Sequence, residues 1–145
     1  MAKTIVIPVD GTTLTLNGYA FQDLADGDII ALSFPNDKTA HTIGTNETST
    51  IKNRLAGDMG EMTVNCMKFG NDDIFLNPYA ENGIDEGTLA GTLQRNYTKD
   101  GADFVESYTL SAGAVTKKPD NTINTQDGEE LLPYTIRFAF VKRVI

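Results

Sequence analysis

Few side chains in this sequence can carry covalent or metal chemistry, and their surroundings speak against it. His41 is the single histidine, within Thr39-Ala40-His41-Thr42-Ile43, and Cys66 is the single cysteine. A hydrolytic triad needs a base beside a nucleophile, and common zinc sites need several His or Cys ligands. One residue of each kind supplies neither unless carboxylates complete the set. Cys66 lies in Thr63-Val64-Asn65-Cys66-Met67-Lys68, which reads as a strand placing Cys66 on one face with Met62 and Val64. That pattern describes a small buried hydrophobe. No helix start or cationic cluster adjoins it in sequence to lower its pKa. His41 reads as an ordinary loop or strand residue.

Carboxylates are plentiful, so calcium needs a separate test. The densest acidic tracts are Asp23-Leu24-Ala25-Asp26-Gly27-Asp28 and the stretch from Asp120 to Glu130. Neither has alternate oxygen ligands followed by Gly and a distal Glu, as an EF-hand loop requires. The first reads as turn chemistry and the second as a solvated loop. The glycines from Gly83 to Gly91 lack both the spacing and the following Lys of a phosphate-cradling loop. Asn46-Glu47-Thr48 and Asn96-Tyr97-Thr98 match glycosylation sequons by chance, because no secretory signal is seen. Met1-Ala2-Lys3 leads at once into Thr4-Ile5-Val6-Ile7-Pro8-Val9, too short for a signal core or a membrane span. Folding in a cytosol is therefore expected. No catalytic residue, metal or cofactor is expected, and the chain is not expected to be an enzyme.

The elements that hold these residues form one domain. The 145 residues suit a single core. Twelve Lys and Arg against twenty Asp and Glu leave a net charge of −8. That balance argues against holding nucleic acid, which depends on clustered cations. The pattern is mostly β. In Pro133 to Val141, Tyr134, Ile136, Phe138 and Phe140 alternate with Thr135, Arg137, Ala139 and Val141, which predicts a half-buried strand. Ile5, Ile7 and Val9 share a face, with Asp10-Gly11 offering a tight turn into Thr13 to Leu16 and Asn17-Gly18 a second one. Ile29 to Phe34 is a near-continuous apolar run that would suit burial on both faces. Further strands are expected at Gly60 to Phe69, Gly87 to Arg95 and Asp103 to Leu110.

Gly70-Asn71-Asp72-Asp73-Ile74-Phe75-Leu76 predicts a short helix with two carboxylates in its first turn. Pro78 interrupts its middle and Asn82-Gly83 supplies a stop. Two polar stretches, Pro35 to Ala56 and Thr116 to Glu130, read as long loops. Such segments suit an assembly protein whose neighbours order them.

The order of these pieces resembles the tail tube proteins of contractile-tailed bacteriophages, a family that includes pyocin and secretion-system tubes. Three features carry the resemblance: Asp26-Gly27-Asp28-Ile29-Ile30 before a long strand; Gly60-Glu61-Met62-Thr63-Val64 followed by Gly70-Asn71-Asp72-Asp73; and Lys118-Pro119-Asp120 before the closing strand. The likeness spans nearly the whole chain. It implies a mainly β fold, a small antiparallel β-sandwich or barrel with one short α-helix and long loops, forming a single tail-tube-like domain over residues 1–145. It further implies a structural virion protein, made in the host bacterial cytoplasm and residing in the virion tail. Its partners would be itself, in stacked hexameric rings, and the sheath, tape measure, baseplate and neck proteins. DNA would pass through without specific binding, helped by a negative lumen. Inter-ring contacts are expected at Asp37, Lys38, Asn46 and Arg54. Lumen-facing candidates are Thr63, Asn65, Met67, Asp103, Val105 and Ser107.

Other readings compete. A carbohydrate-binding β-sandwich would share the β content and acidity, but such sites rely on exposed Trp or Tyr. This chain has no tryptophan, and its tyrosines (Tyr19, Tyr79, Tyr97, Tyr108, Tyr134) are scattered. A tail terminator or a capsid decoration protein would share size and acidity without forming open tubes.

Overall fold

The computed structural model describes residues 3–8, 10–22, 30–123, 125 and 130–145. The fold is mainly β, with antiparallel sheets and one α-helix among the described residues. Ten strands are described: β1 (Ile5–Val6), β2 (Thr12–Leu16), β3 (Tyr19–Ala20), β4 (Ile30–Ser33), β5 (Thr39–Ile43), β6 (Ser49–Asn53), β7 (Gly60–Met67), β8 (Leu89–Lys99), β9 (Ala102–Lys117) and β10 (Leu131–Val144). Helix α1 (Asn71–Asn82) sits between β7 and β8. Eight strands form one sheet in the order β3-β2-β8-β9-β10-β7-β4, with β1 also paired to β8, while β5 and β6 pair only with each other.

The core lies on one face of the large sheet. Leu14 and Leu16 near one end share a buried cluster with Met62, Val64 and Cys66 near the other. A sheet whose two ends meet in one core must curl, and Leu76 of α1 joins the cluster from the helix side. Alternation does the sorting on β7, where Gly60, Met62, Val64 and Cys66 are buried and the residues between them are not.

Turn chemistry explains the hairpins. Asn17 and Gly18 both have positive φ (50° and 81°), as the two-residue turn joining β2 to β3 requires. Asp100 and Gly101 do the same between β8 and β9 (51° and 83°). Asp10-Gly11 does carry a turn, with the Gly11 N–H donating to the Pro8 carbonyl (3.4 Å), but it does not reverse the chain into a hairpin. β1 and β2 both run along the same edge of β8, so the dipeptide only steps the chain between two pairings.

Other expectations need correction. Ile29 lies outside the described residues, but β4 is an edge strand paired to β7 alone, with Ala31, Ser33 and Phe34 exposed. An edge position leaves one face open, so the apolar run there is not buried on both sides. Pro35 to Ala56 is no loop: it contains the β5–β6 hairpin, followed by a short 3-10 turn at Leu55–Asp58. The expected loop at Thr116 starts later, because β9 runs through Lys117. β10 alternates as expected only as far as Phe138. Phe140 is exposed and Val141 is buried instead. The change falls opposite Ala112, which has φ 53°, where β9 carries one extra residue relative to β8. α1 runs without a break through Pro78.

Candidate assembly surfaces

The chemistry-bearing residues sit apart. His41 lies on the exposed strand β5, opposite Ile51, with its Nε2 3.3 Å from the Thr39 hydroxyl. Cys66 is fully buried on the core face with Met62 and Val64, as the alternation indicated. Burial first, then the carboxylates of Asp72 and Asp73, push its thiol up to about 12. No three His, Cys, Asp or Glu groups are placed to share a metal ion among the described residues. The tract Asp23 to Asp28 lies outside them, as does part of Asp120 to Glu130.

The helix carboxylates do more than cap. Asp72 is completely buried and accepts hydrogen bonds from the Tyr19 hydroxyl (2.8 Å) and the Gln22 backbone N–H (2.9 Å). Asp73 accepts from the Phe69 N–H at 3.0 Å and from the Tyr134 hydroxyl. Burial, then that bond, raises the Tyr134 pKa. Adjacent residues of one helix therefore tie β3 at one margin of the sheet to β10 in its interior. Phe75 stacks on Tyr19 (4.4 Å, 12°) and meets Phe21 edge-on. The sequence marked Asp72 and Asp73 only as first-turn acids, because their partners Tyr19, Gln22 and Tyr134 lie 50 to 61 positions away.

Every residue of the β5–β6 hairpin is exposed. Its tip is closed by Gly44 and Thr48, whose backbones bond at 2.8 Å, with Glu47 at positive φ. Its base is fixed by the Arg54 N–H donating to the Lys38 carbonyl (2.7 Å) and by Lys38 Nζ against Asp58 (2.9 Å). Gly57 makes that base possible, since a Cβ there would lie 2.5 Å from Lys38 Cα. Of the expected inter-ring residues, Asp37, Lys38 and Arg54 gather at the base while Asn46 stands at the tip. Five residues of strand separate them, roughly 16 Å. The Lys38 ammonium is already engaged within the chain.

The expected lumen residues fall into two sets on one surface. Thr63, Asn65 and Met67 alternate away from the core on β7, and Asp103, Val105 and Ser107 do so on β9. Both lie on the sheet face opposite the core. Thr13, Thr15, Thr92, Gln94, Asn96 and Thr98 continue it by register. The charged side chains placed there by alternation are Glu61, Asp103, Arg137 and Lys142, and Lys117 joins them through its pairing with Thr135 across a register shift. Glu61 is paired with Arg137 (Nε to Oε1, 2.9 Å) and Asp103 accepts from the Thr98 hydroxyl. Cations are not outnumbered, so the acidity of the chain is carried elsewhere. Asp72, Asp73, Glu81, Asp85 and Glu86 lie on α1 and the 3-10 turn after it, Gly83–Glu86.

At the far end of the β8–β9 hairpin the core face runs out into solvent. Ile5, Ile7, Tyr97 and Ile145 line a groove of about 220 Å³ with Arg95, Glu106 and Arg143. Arg143 is held by Glu106, with Nε donating to Oε2 at 2.8 Å. Phe104 stacks on Tyr97 beside it (5.6 Å, 22°). No protein-family model matches the chain, and no curated protein sequence matches it either.

Proposed function

We propose that this chain is a structural subunit that assembles with copies of itself into stacked rings, forming the hollow tail tube of a contractile-tailed phage. The observation that carries this reading is the β5–β6 hairpin. Five paired residues in each strand stand exposed, with no core of their own. An isolated two-stranded hairpin is marginally stable in water, so one held out from the body suits contact with a neighbour. β4 and β3 offer the large sheet's margins for pairing with adjacent copies. In such a tube the hairpin would reach the next ring. The sheet face bearing Thr63, Asn65, Met67, Asp103, Val105 and Ser107 would line the channel. Tape measure protein and then DNA would pass along it, with sheath outside and baseplate and neck proteins at the ends.

Placing that face inward changes how passage would work. The face is rich in hydroxyl and amide groups and close to neutral, so DNA would slide because cations there are few and mostly paired, rather than through strong repulsion. Negative-stain microscopy of the purified protein at high concentration tests the reading, with rings or tubes expected. A strictly monomeric protein that binds a glycan array would reverse it in favour of a carbohydrate-binding sandwich.

A further inference from the structure

We propose that the groove at the tip of the β8–β9 hairpin receives the Gly83–Glu86 turn of a second copy of this chain, joining copies head to tail. This rests on the self-assembly reading above and adds a specific contact to it. The groove offers Ile5, Ile7, Tyr97 and Ile145 as apolar walls. Arg95 stands among them with no ion-pair partner among the described residues, because the neighbouring carboxylate of Glu106 is taken by Arg143. An apolar cleft edged by a free guanidinium suits an apolar residue flanked by acids.

The chain carries such a group at its other end. Ile84 is 76% exposed and is followed by Asp85 and Glu86. The turn is held in shape by positive φ at Gly83 (58°) and Gly87 (111°). The Gly87 N–H bonds to the Ile84 carbonyl (3.0 Å), and Asn82 donates to Glu86 (3.1 Å). A knob already ordered before docking loses little entropy on binding.

Knob and groove cannot meet within one chain. The turn lies just before Leu89 at the start of β8, and Tyr97 lies eight residues along that strand, roughly 26 Å away. Each copy therefore has one half of the contact free at each end. Such a heterologous interface closes into a ring when its rotation allows and otherwise propagates. That both complementary halves lie on the same chain favours a second copy over a different partner.

Paired cysteines test the geometry, since the buried, protonated Cys66 gives little background. Under mild oxidation at high concentration, the Ile7→Cys/Ile84→Cys variant is expected to give a ladder of disulfide-linked oligomers. Either single variant is expected to give at most dimers. Arg95→Glu and Asp85→Lys should each raise the concentration needed for assembly by about tenfold or more, and the double reversal should restore it to within about threefold. Circular dichroism of each variant checks that these exposed changes leave the fold intact. Wild-type-like assembly of Arg95→Glu, with no ladder from the paired cysteines, would overturn this contact and leave self-assembly standing. A wild-type chain that stays monomeric at millimolar concentration, with no ladder from the paired-cysteine variant, would remove both.

Discussion

At the scale of single residues, the tightest constraints are close approaches that no periodicity announces. A Cβ on Gly91 would lie 1.8 Å from the Thr15 carbonyl oxygen, inside the β2–β8 pairing. Gly91→Ala is expected to cost about 3 kcal/mol or more, read as a lowered urea midpoint, because backbone must move to admit it. Gly113 is similar, with the Phe138 ring lying where its side chain would be. Cys66 was legible as buried from its alternation with Met62 and Val64. The carboxylates near it were not, since Asp72 and Asp73 reach it through the tertiary fold. Its thiol ionises near 9.0 ordinarily and near 12 in the folded protein. Between those values the unfolded chain has lost the proton that the folded chain keeps. Stability is thus expected to be flat with respect to this group below pH 9 and to fall as pH rises from about 9 to 12. Chemical denaturation across that range checks it, and Cys66→Ala should flatten the slope.

At the scale of elements, α1 works as a strut. Its position, its first-turn acids and its stop at Asn82-Gly83 were readable from local composition. Its use of Asp72 to hold Tyr19 and Gln22 was not, because hydrogen-bond partners far apart in sequence leave no local trace. Asp72→Ala leaves a part-buried hydroxyl and a backbone N–H without this acceptor and is expected to cost about 1–2 kcal/mol. Asp72→Asn, which keeps an acceptor oxygen, is expected to cost less; comparing the two thermal midpoints checks the assignment. In sequence the β5–β6 hairpin reads as a loop because its strands have no apolar alternation to betray them. Both faces are exposed, so nothing selects for a pattern. For the same reason it should be dispensable to the monomer. Replacing residues 39–53 with a short Gly-Ser bridge from Lys38 to Arg54, already bonded at 2.7 Å, is expected to change stability by less than about 1 kcal/mol. On the tube reading it abolishes stacking, which scattering and microscopy would show.

At the scale of the whole molecule, the mainly β class with one helix followed from alternation and turn residues. The curl of the sheet did not, because it depends on bulges such as the one at Ala112 and on which strands become neighbours. β10 was the plainest strand in the sequence and stands in the interior of the sheet, between β9 and β7. That position has a consequence for biosynthesis. Every other described strand leaves the ribosome before β10, yet within the sheet β7 with β4 on one side and β9 with β8 and β2 on the other are paired only through it. Pairing such as that between Asn17 and Ala90 already waits for 73 residues of synthesis, about 4–15 s at ordinary rates. Chains arrested before Leu131 are expected to be cut readily by protease, and chains extended beyond Val144 to resist it. A sheet closed from its middle by its latest strand keeps its edges from maturing early, so a half-made subunit presents no finished surface for another copy to join.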